Sequence, residues 1–328
     1  MLKLGIIGTN WITQQFVDAA TNSGEYELAA VYSRRAETAQ QFADEAGHKA
    51  ALFTDLDAFF GSDTFDTVYI ASPNIMHADQ TVAAVNAGKN VIVEKPMVTS
   101  LSQLDAVLAV QKAHPDAFIF EAARHLYEPN FAKVSEYTHS HKICGATLTY
   151  MKYSSRYDAF LAGKTPNVFT TKFAGGALED LGVYLVYAAL SWFGVPEDAT
   201  YVPTKLTNGI DGTGVLHLTY PDFGVNLTAG KTTQSYLPSE IYFGRDTLVV
   251  DAPESISSIK LYSADTKPKE TAVKPDKNPM IREARFFANA INQKDYAARD
   301  EKLVLAKHVH TVISQARVAA GIVFPSDK

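Results

Sequence analysis

The chain of 328 residues is 46% hydrophobic and 20% charged, with one cysteine and a formal net charge of −6. That balance excludes a disordered chain, and at roughly 150 residues per domain it predicts two folded domains. With no block of Lys and Arg to neutralise phosphates, nucleic acid is excluded as a partner.

The first 120 residues alternate strand and helix patterns. Residues 2–7 read as a strand and 11–20 as a helix, followed by a strand at 27–32 and a helix at 36–46. Residues 67–72 form the next clear strand, and Gly88 closes a helix over about 77–87. Val91-Ile92-Val93 is a β-branched run that reads as a buried parallel strand, and Pro96 stops it. A helix near 102–113 and a strand at 117–120 complete the series. Such alternation predicts an α/β domain with a doubly wound parallel sheet over residues 1–122.

From residue 123 the pattern changes. A helix at about 130–138 leads to a period-two strand at 146–153. Strand-like segments follow at 213–220, 225–231, 240–243, 247–250 and 258–262, with turn residues such as Pro221-Asp222-Phe223-Gly224 between them. Residues 266–279, rich in Lys and Pro, read as an exposed connection, and helices at about 280–293 and 301–321 follow. This predicts an α+β domain with a large open, mostly antiparallel sheet over 123–328. The apolar start runs into a glycine turn instead of a cleavage site. The longest apolar run, 181–195, is broken by Gly182, Ser191 and Gly194 and is too short for a bilayer, so it reads as a buried helix. Cys144 cannot form an intramolecular disulfide and reads as an inert buried thiol. A cytoplasmic location with no membrane partner is expected.

In open α/β sheets ligands bind beyond the carboxyl ends of the strands. The first such end is Gly5-Ile6-Ile7-Gly8-Thr9-Asn10-Trp11-Ile12-Thr13. Against the dinucleotide fingerprint G-x-G-x-x-G only Gly8 matches. Asn10 replaces the second glycine, as the next best residue for a left-handed backbone, and Thr13 crowds the third position. A helix N-terminus at this junction suits phosphate. NAD-binding chains usually end the second strand on Asp or Glu. Here it ends Tyr32-Ser33-Arg34-Arg35, a hydroxyl and two guanidiniums that suit a 2′-phosphate, so NADP is predicted over NAD. The alternative is a solvated pair of surface arginines. The strand at 67–72 ends Ala71-Ser72-Pro73-Asn74. Pro73 forces an extended exit, Asn74 can cap the next helix, and His77 follows at the crevice edge.

Lys95 stands where the Val91 strand ends. In the second half, Gly175-Gly176 lets backbone pass close to a ligand or another segment and precedes Asp180 and Tyr184. Those two are four apart on an otherwise apolar helix and share one face. A carboxylate and a phenol on a buried face need partners, and Lys95 is a candidate. The three suit hydride transfer coupled to proton transfer at a carbon–oxygen bond. A nearby ammonium lowers the tyrosine toward neutral pH, and Asp180 positions. The bland alternative is that Asp180 forms a salt bridge and Tyr184 only packs.

The pieces Gly5-Ile6-Ile7-Gly8-Thr9, Ser72-Pro73-Asn74 with His77, Glu94-Lys95-Pro96, Glu121, and Gly175 through Tyr184 occur in that order. In them the chain resembles the glucose–fructose oxidoreductase and inositol dehydrogenase family, Gfo/Idh/MocA, over nearly its whole length. The resemblance implies a Rossmann domain, a second domain whose open sheet is used for dimerisation, a catalytic Lys95, Asp180 in the site, and a cis Lys95–Pro96 bond. Tyr184 stands where many members carry histidine. In this the chain is similar to dimeric dihydrodiol dehydrogenases, which favour NADP. The expected catalytic residues are Lys95, Asp180 and Tyr184. The expected cofactor residues are Gly8, Thr9, Asn10, Trp11, Ile12, Ser33, Arg34, Arg35, Ser72, Pro73, Asn74, His77, Glu94 and Lys95, with NADP as cofactor and NAD as the second choice. The expected substrate is a sugar, polyol or diol, or the matching carbonyl, shaped by loops at 154–157 and 163–171. A non-catalytic dinucleotide-binding sensor is the alternative; retention of all three catalytic candidates favours the enzyme. His139/His141 and His308/His310 lack a neighbouring Cys or carboxylate cluster, so no metal site is predicted. His125 either borders the pocket or packs at a domain junction.

Overall fold

The structure, a computed structural model, describes residues 1–264 and 266–328. The chain divides into two compact units, Met1–Arg124 with Asn278–Val304, and His125–Lys277 with Leu305–Lys328. The first unit takes in residues 278–304, a segment that a cut at residue 122 assigns to the second domain.

Six parallel strands build the sheet of the first unit: β1 (Leu2–Ile7), β2 (Tyr26–Tyr32), β3 (Ala51–Phe53), β4 (Thr67–Ile70), β5 (Asn90–Glu94) and β6 (Ile119–Ala122). Their order is β3-β2-β1-β4-β5-β6, so the direction of winding reverses between β1 and β4. Helices α1 (Trp11–Asn22), α2 (Ala36–Glu45), α3 (Leu56–Phe60), α4 (His77–Asn86) and α5 (Leu101–Ala113) lie between the strands. All of β4, and β5 beyond its first residue, is buried, as expected for central parallel strands covered on both faces. Each buried Val or Ile there contributes about 1.5–3 kcal/mol. The later helix Ile281–Gln293 packs on α1, and the Tyr26 hydroxyl donates to Ala284 O at 2.9 Å. The sequence reading missed β3 and α3. They are three and five residues long, and β3 forms the sheet edge where little of it is buried, so periodicity had nothing to act on.

The second unit holds α6 (Pro129–Ser140), β7 (Gly145–Met151), α7 (Tyr157–Leu161), α8 (Val183–Phe193), β8 (Asp198–Lys205), β9 (Asp211–Thr219), β10 (Gly224–Gly230), β11 (Ser239–Phe243), β12 (Asp246–Val250), β13 (Ile259–Tyr262) and β14 (Lys269–Glu270). The eight strands run β14-β13-β12-β11-β7-β10-β9-β8, antiparallel except for β10 beside β7. In β9, Leu216 and Leu218 are buried while Val215 and His217 point outward. β8 escaped sequence detection because Pro203 sits inside it, and a proline is tolerated there because β8 is an edge strand. The helix Ile281–Gln293, α9, is followed by α10 (Tyr296–Ala319).

The helical stretch Thr171–Phe193 is long and apolar enough to cross a membrane by composition, but 78% of its most apolar window is buried in the fold. That is the behaviour of a core helix. The expectation for the cysteine fails. Cys144 is exposed, not buried: it lies in the segment just before β7, where its N–H donates to Tyr242 O at 2.8 Å.

Candidate active site

Strand register brings the first-unit candidates to one edge. Ile7 pairs with Tyr32 and with Ile70, Ile70 with Val93, and Val93 with Glu121. The residues just past that row are Gly8, Ser33, Ala71 and Glu94. Residues 8–12, 33–35, 72–74 and 94–95 therefore leave the sheet together, at the carboxyl ends and across the switch between β1 and β4.

Gly8 has φ 101°, and a Cβ there would lie 2.5 Å from Ala71 O. Glycine is needed because the exits of β1 and β4 touch. Asn10 does not take the left-handed backbone expected of it. Its φ of −98° and ψ of 177° are extended, and it is the N-cap of α1. Its Oδ1 accepts from the N–H groups of Ile12 and Thr13 at 3.0 and 3.2 Å, and its Nδ2 donates to Ala71 O at 3.1 Å. Thr13, expected to crowd the helix, is fully buried and turns its hydroxyl to the same Asn10 oxygen at 3.4 Å. Trp11 is 75% exposed beside this turn. Ser33 is half-buried, and Arg34 and Arg35 are exposed.

At the exit of β4, Asn74 does not cap α4 as expected. It opens a 3-10 turn, Asn74–Met76, and Met76 precedes the helix. The turn inserts because Pro73, at ψ 141°, leads out extended. His77 is buried, with Nδ1 2.8 Å from Pro96 O and Nε2 2.7 Å from Ser72 O, so it clamps the exits of β4 and β5. Burial pushes its imidazole below the usual 6.5, against the pull of those two carbonyls.

The Lys95–Pro96 bond is cis. Lys95 is half-buried and its N–H donates to Glu94 Oε2 at 3.2 Å, while the Tyr69 hydroxyl donates to Glu94 Oε1 at 2.5 Å. Burial raises the Glu94 carboxyl above its usual 4.5, opposed by the charge of Lys95 and the bond from Tyr69. Beyond Pro96, the Met97 N–H donates to Glu121 Oε1 at 3.1 Å.

In the second unit, the segment before α8 is held residue by residue. A Cβ on Gly175 would meet Val168 O at 2.6 Å, and one on Gly176 (φ 107°) would meet Asp211 Oδ1 at 2.1 Å. The double glycine thus serves close approach to chain segments. Residues Leu178–Gly182 form a π-turn leading into α8, a feature that recurs at functional sites. Leu178 N–H donates to Asp211 Oδ2 at 2.8 Å, which also accepts from the Tyr201 hydroxyl at 2.7 Å. Glu179 Oε1 accepts from Arg317 Nε at 3.0 Å, and Arg317 also holds Asp327 at 2.7 and 2.9 Å. Asp180 Oδ2 accepts from Lys231 Nζ at 2.6 Å.

Asp180 on the π-turn and Tyr184 in the first turn of α8 remain half-buried, as does Leu181, while Glu179, Gly182, Val183 and Leu185 are buried. The Tyr184 ring packs 5.0 Å from His125 and 5.7 Å from Tyr150. Sequence reasoning missed Asp211, Arg317 and Lys231. Only Lys231 carried a signal, being a lysine just past the end of a strand, as Lys95 is.

The chain matches a family model described as an oxidoreductase family with an NAD-binding Rossmann fold over residues 2–121. It is 36% identical to scyllo-inositol 2-dehydrogenase (NADP(+)) IolU of Bacillus subtilis (strain 168), over 100% of each chain. Levoglucosan dehydrogenase in complex with NADH superposes at a TM-score of 0.85 and 17% identity, covering 98% of this chain and 97% of that one. KijD10, a 3-ketoreductase from Actinomadura kijaniata in complex with NADP and TDP-benzene, gives 0.84 at 20% identity over 97% of each. The first unit and its strand-end edge define a dinucleotide-dependent oxidoreductase. The chain belongs to the Gfo/Idh/MocA oxidoreductase family, and it is an NAD(P)-dependent enzyme.

Proposed function

We propose that this enzyme is an NADP-preferring dehydrogenase of a polyol or cyclic sugar, interconverting a secondary alcohol and its ketone. The observation that carries the reading is that Asp180, on the π-turn, and Tyr184, in the first turn of α8, stay half-buried while Glu179, Val183 and Leu185 around them are buried. Identity to a scyllo-inositol 2-dehydrogenase over the full length supports the substrate class.

The strand-end edge fits a dinucleotide. The β1 exit is closed by a glycine with no room for a Cβ, the α1 N-terminus lies beside it, and β2 ends on a hydroxyl and two exposed guanidiniums with no carboxylate among them. Residues 8–12, 33–35 and 72–74 would hold the cofactor, which supplies or accepts the hydride. Arg34 and Arg35 suit a 2′-phosphate. Lys95 and Tyr184 move the proton at the substrate oxygen, and Asp180 orients the substrate by accepting a hydroxyl hydrogen bond. A second copy of the chain covers the outer face of the eight-stranded sheet, where Val202 and Val215 stand paired and 68% and 38% exposed.

The test is oxidation of a panel of inositols, sugars and diols with NADP and NAD side by side, with dissociation constants for NADPH and NADH. Turnover of a polyol and tighter NADPH binding are expected. Equal binding of the two nucleotides would remove the NADP preference. NADPH binding with no turnover across the panel would point to the sensor instead.

A further inference from the structure

We propose that Lys231 is a positioning residue of the reaction, fixing the Asp180 carboxylate through one buried ammonium that the 163–171 loop anchors. This rests on the reading of Asp180 as a site residue. Lys231 follows β10, and its backbone is pinned on both sides: its N–H donates to Gly212 O at 2.8 Å and its carbonyl accepts from Ser154 N at 2.9 Å. Its side chain is 2% exposed. A buried ammonium is tolerated only where its donors are met. Nζ donates to Asp180 Oδ2 at 2.6 Å and to Val168 O at 2.9 Å, and sits 4.9 Å over the Phe169 ring.

These contacts tie three things together. Asp180 lies on the π-turn, and Val168 and Phe169 lie in the loop that sequence marks for substrate specificity. The Phe169 ring also lies 5.4 Å from that of Tyr157 and 5.5 Å from that of Phe160, so the same ammonium sits beneath an aromatic cluster next to the carboxylate. Apolar ring faces beside a carboxylate suit a polyol ring, with its C–H faces and hydroxyl edges. Lys231 donates a charge-assisted hydrogen bond to Oδ2 and so fixes the direction in which the Asp180 carboxylate points. A carboxylate so held loses little freedom when it accepts a substrate hydroxyl.

The test compares four full-length proteins, wild type, Asp180→Asn, Lys231→Met and the double variant, in kcat, KM, NADPH dissociation constant and melting temperature. Lys231→Met is expected to lower kcat/KM for the polyol by about 10–100-fold, the range for a lost charge-assisted hydrogen bond, with NADPH binding unchanged. In the Asp180→Asn background the same change is expected to have an effect below about twofold, because the group it acts through is gone. Unaltered kcat/KM in Lys231→Met would overturn the proposal. Additive losses in the double variant would also overturn it, since they mean that Lys231 only supports the fold. If Lys231→Met does not fold, Lys231→Gln within Asp180→Asn gives the same comparison with a neutral pair. Full activity in Asp180→Asn alone would instead remove the site reading beneath the proposal.

Discussion

The exit of β5 and the π-turn before α8 both present side chains for chemistry, and they are held in opposite ways. At the β5 exit the groups that hold the segment Glu94–Met97 around Lys95 come from nearby strand ends: Tyr69 on the neighbouring β4, Glu94 itself, His77 at the start of α4 and Glu121 on β6. Most of these bonds involve backbone and depend on register. At the π-turn, three successive residues are each fixed by a distant group. Leu178 is held by Asp211, Glu179 by Arg317 and Asp180 by Lys231, at separations of 33, 138 and 51 residues. The first arrangement is a consequence of the sheet, whereas the second is a set of buried charges added to a helix that would otherwise be featureless core.

The comparison predicts that the π-turn is the more fragile of the two. Arg317 is 1% exposed and is shared by Glu179 and Asp327, with its guanidinium 3.8 Å over the Phe324 ring. Arg317→Met strands a buried carboxylate and is expected to destabilise the fold by about 3–5 kcal/mol, read by chemical denaturation. A loss under about 1 kcal/mol would show that the charge pairs do not hold the turn.

Glu179 gives a pH signature to the same region. Burial raises its carboxyl from 4.5 to about 7, opposed by Arg317, and its Oε2 meets no hydrogen-bond donor among the described residues. Between those values the folded state binds the proton more than the unfolded state does. Its contribution to stability is thus present below about pH 4.5 and is lost as pH rises toward 7. Glu179→Gln is expected to flatten that part of the stability profile. An unchanged slope would place the titration elsewhere.

The smallest effect is expected at β5. Tyr69→Phe keeps the ring stacked on Phe16, at 3.9 Å, and removes only the hydroxyl that donates to Glu94. A loss of about 1–2 kcal/mol is expected in the same denaturation assay. A loss as large as that of Arg317→Met would erase the contrast between the two regions.

The contrast also explains what could be read from sequence. Strand alternation, the cis-capable Lys95–Pro96 pair and the polar ends of β1, β2, β4 and β5 are local features, and parallel register alone places them together. Asn10 was misjudged because position in a glycine pattern suggested backbone freedom, whereas its amide does the work as a helix cap and a tie to Ala71. The partners of the π-turn were illegible because nothing near Asp211 or Arg317 in sequence announces a buried carboxylate or guanidinium. The double glycine was the one local trace, and it marks the approach of Val168 and Asp211.

The central claim is that a lysine at the end of β5 serves the reaction. Its most direct test is Lys95→Met, assayed for polyol-dependent NADPH formation beside its NADPH dissociation constant. The account predicts a fall in turnover of about 100-fold or more with nucleotide binding within about twofold of wild type. Turnover retained in that variant would contradict it.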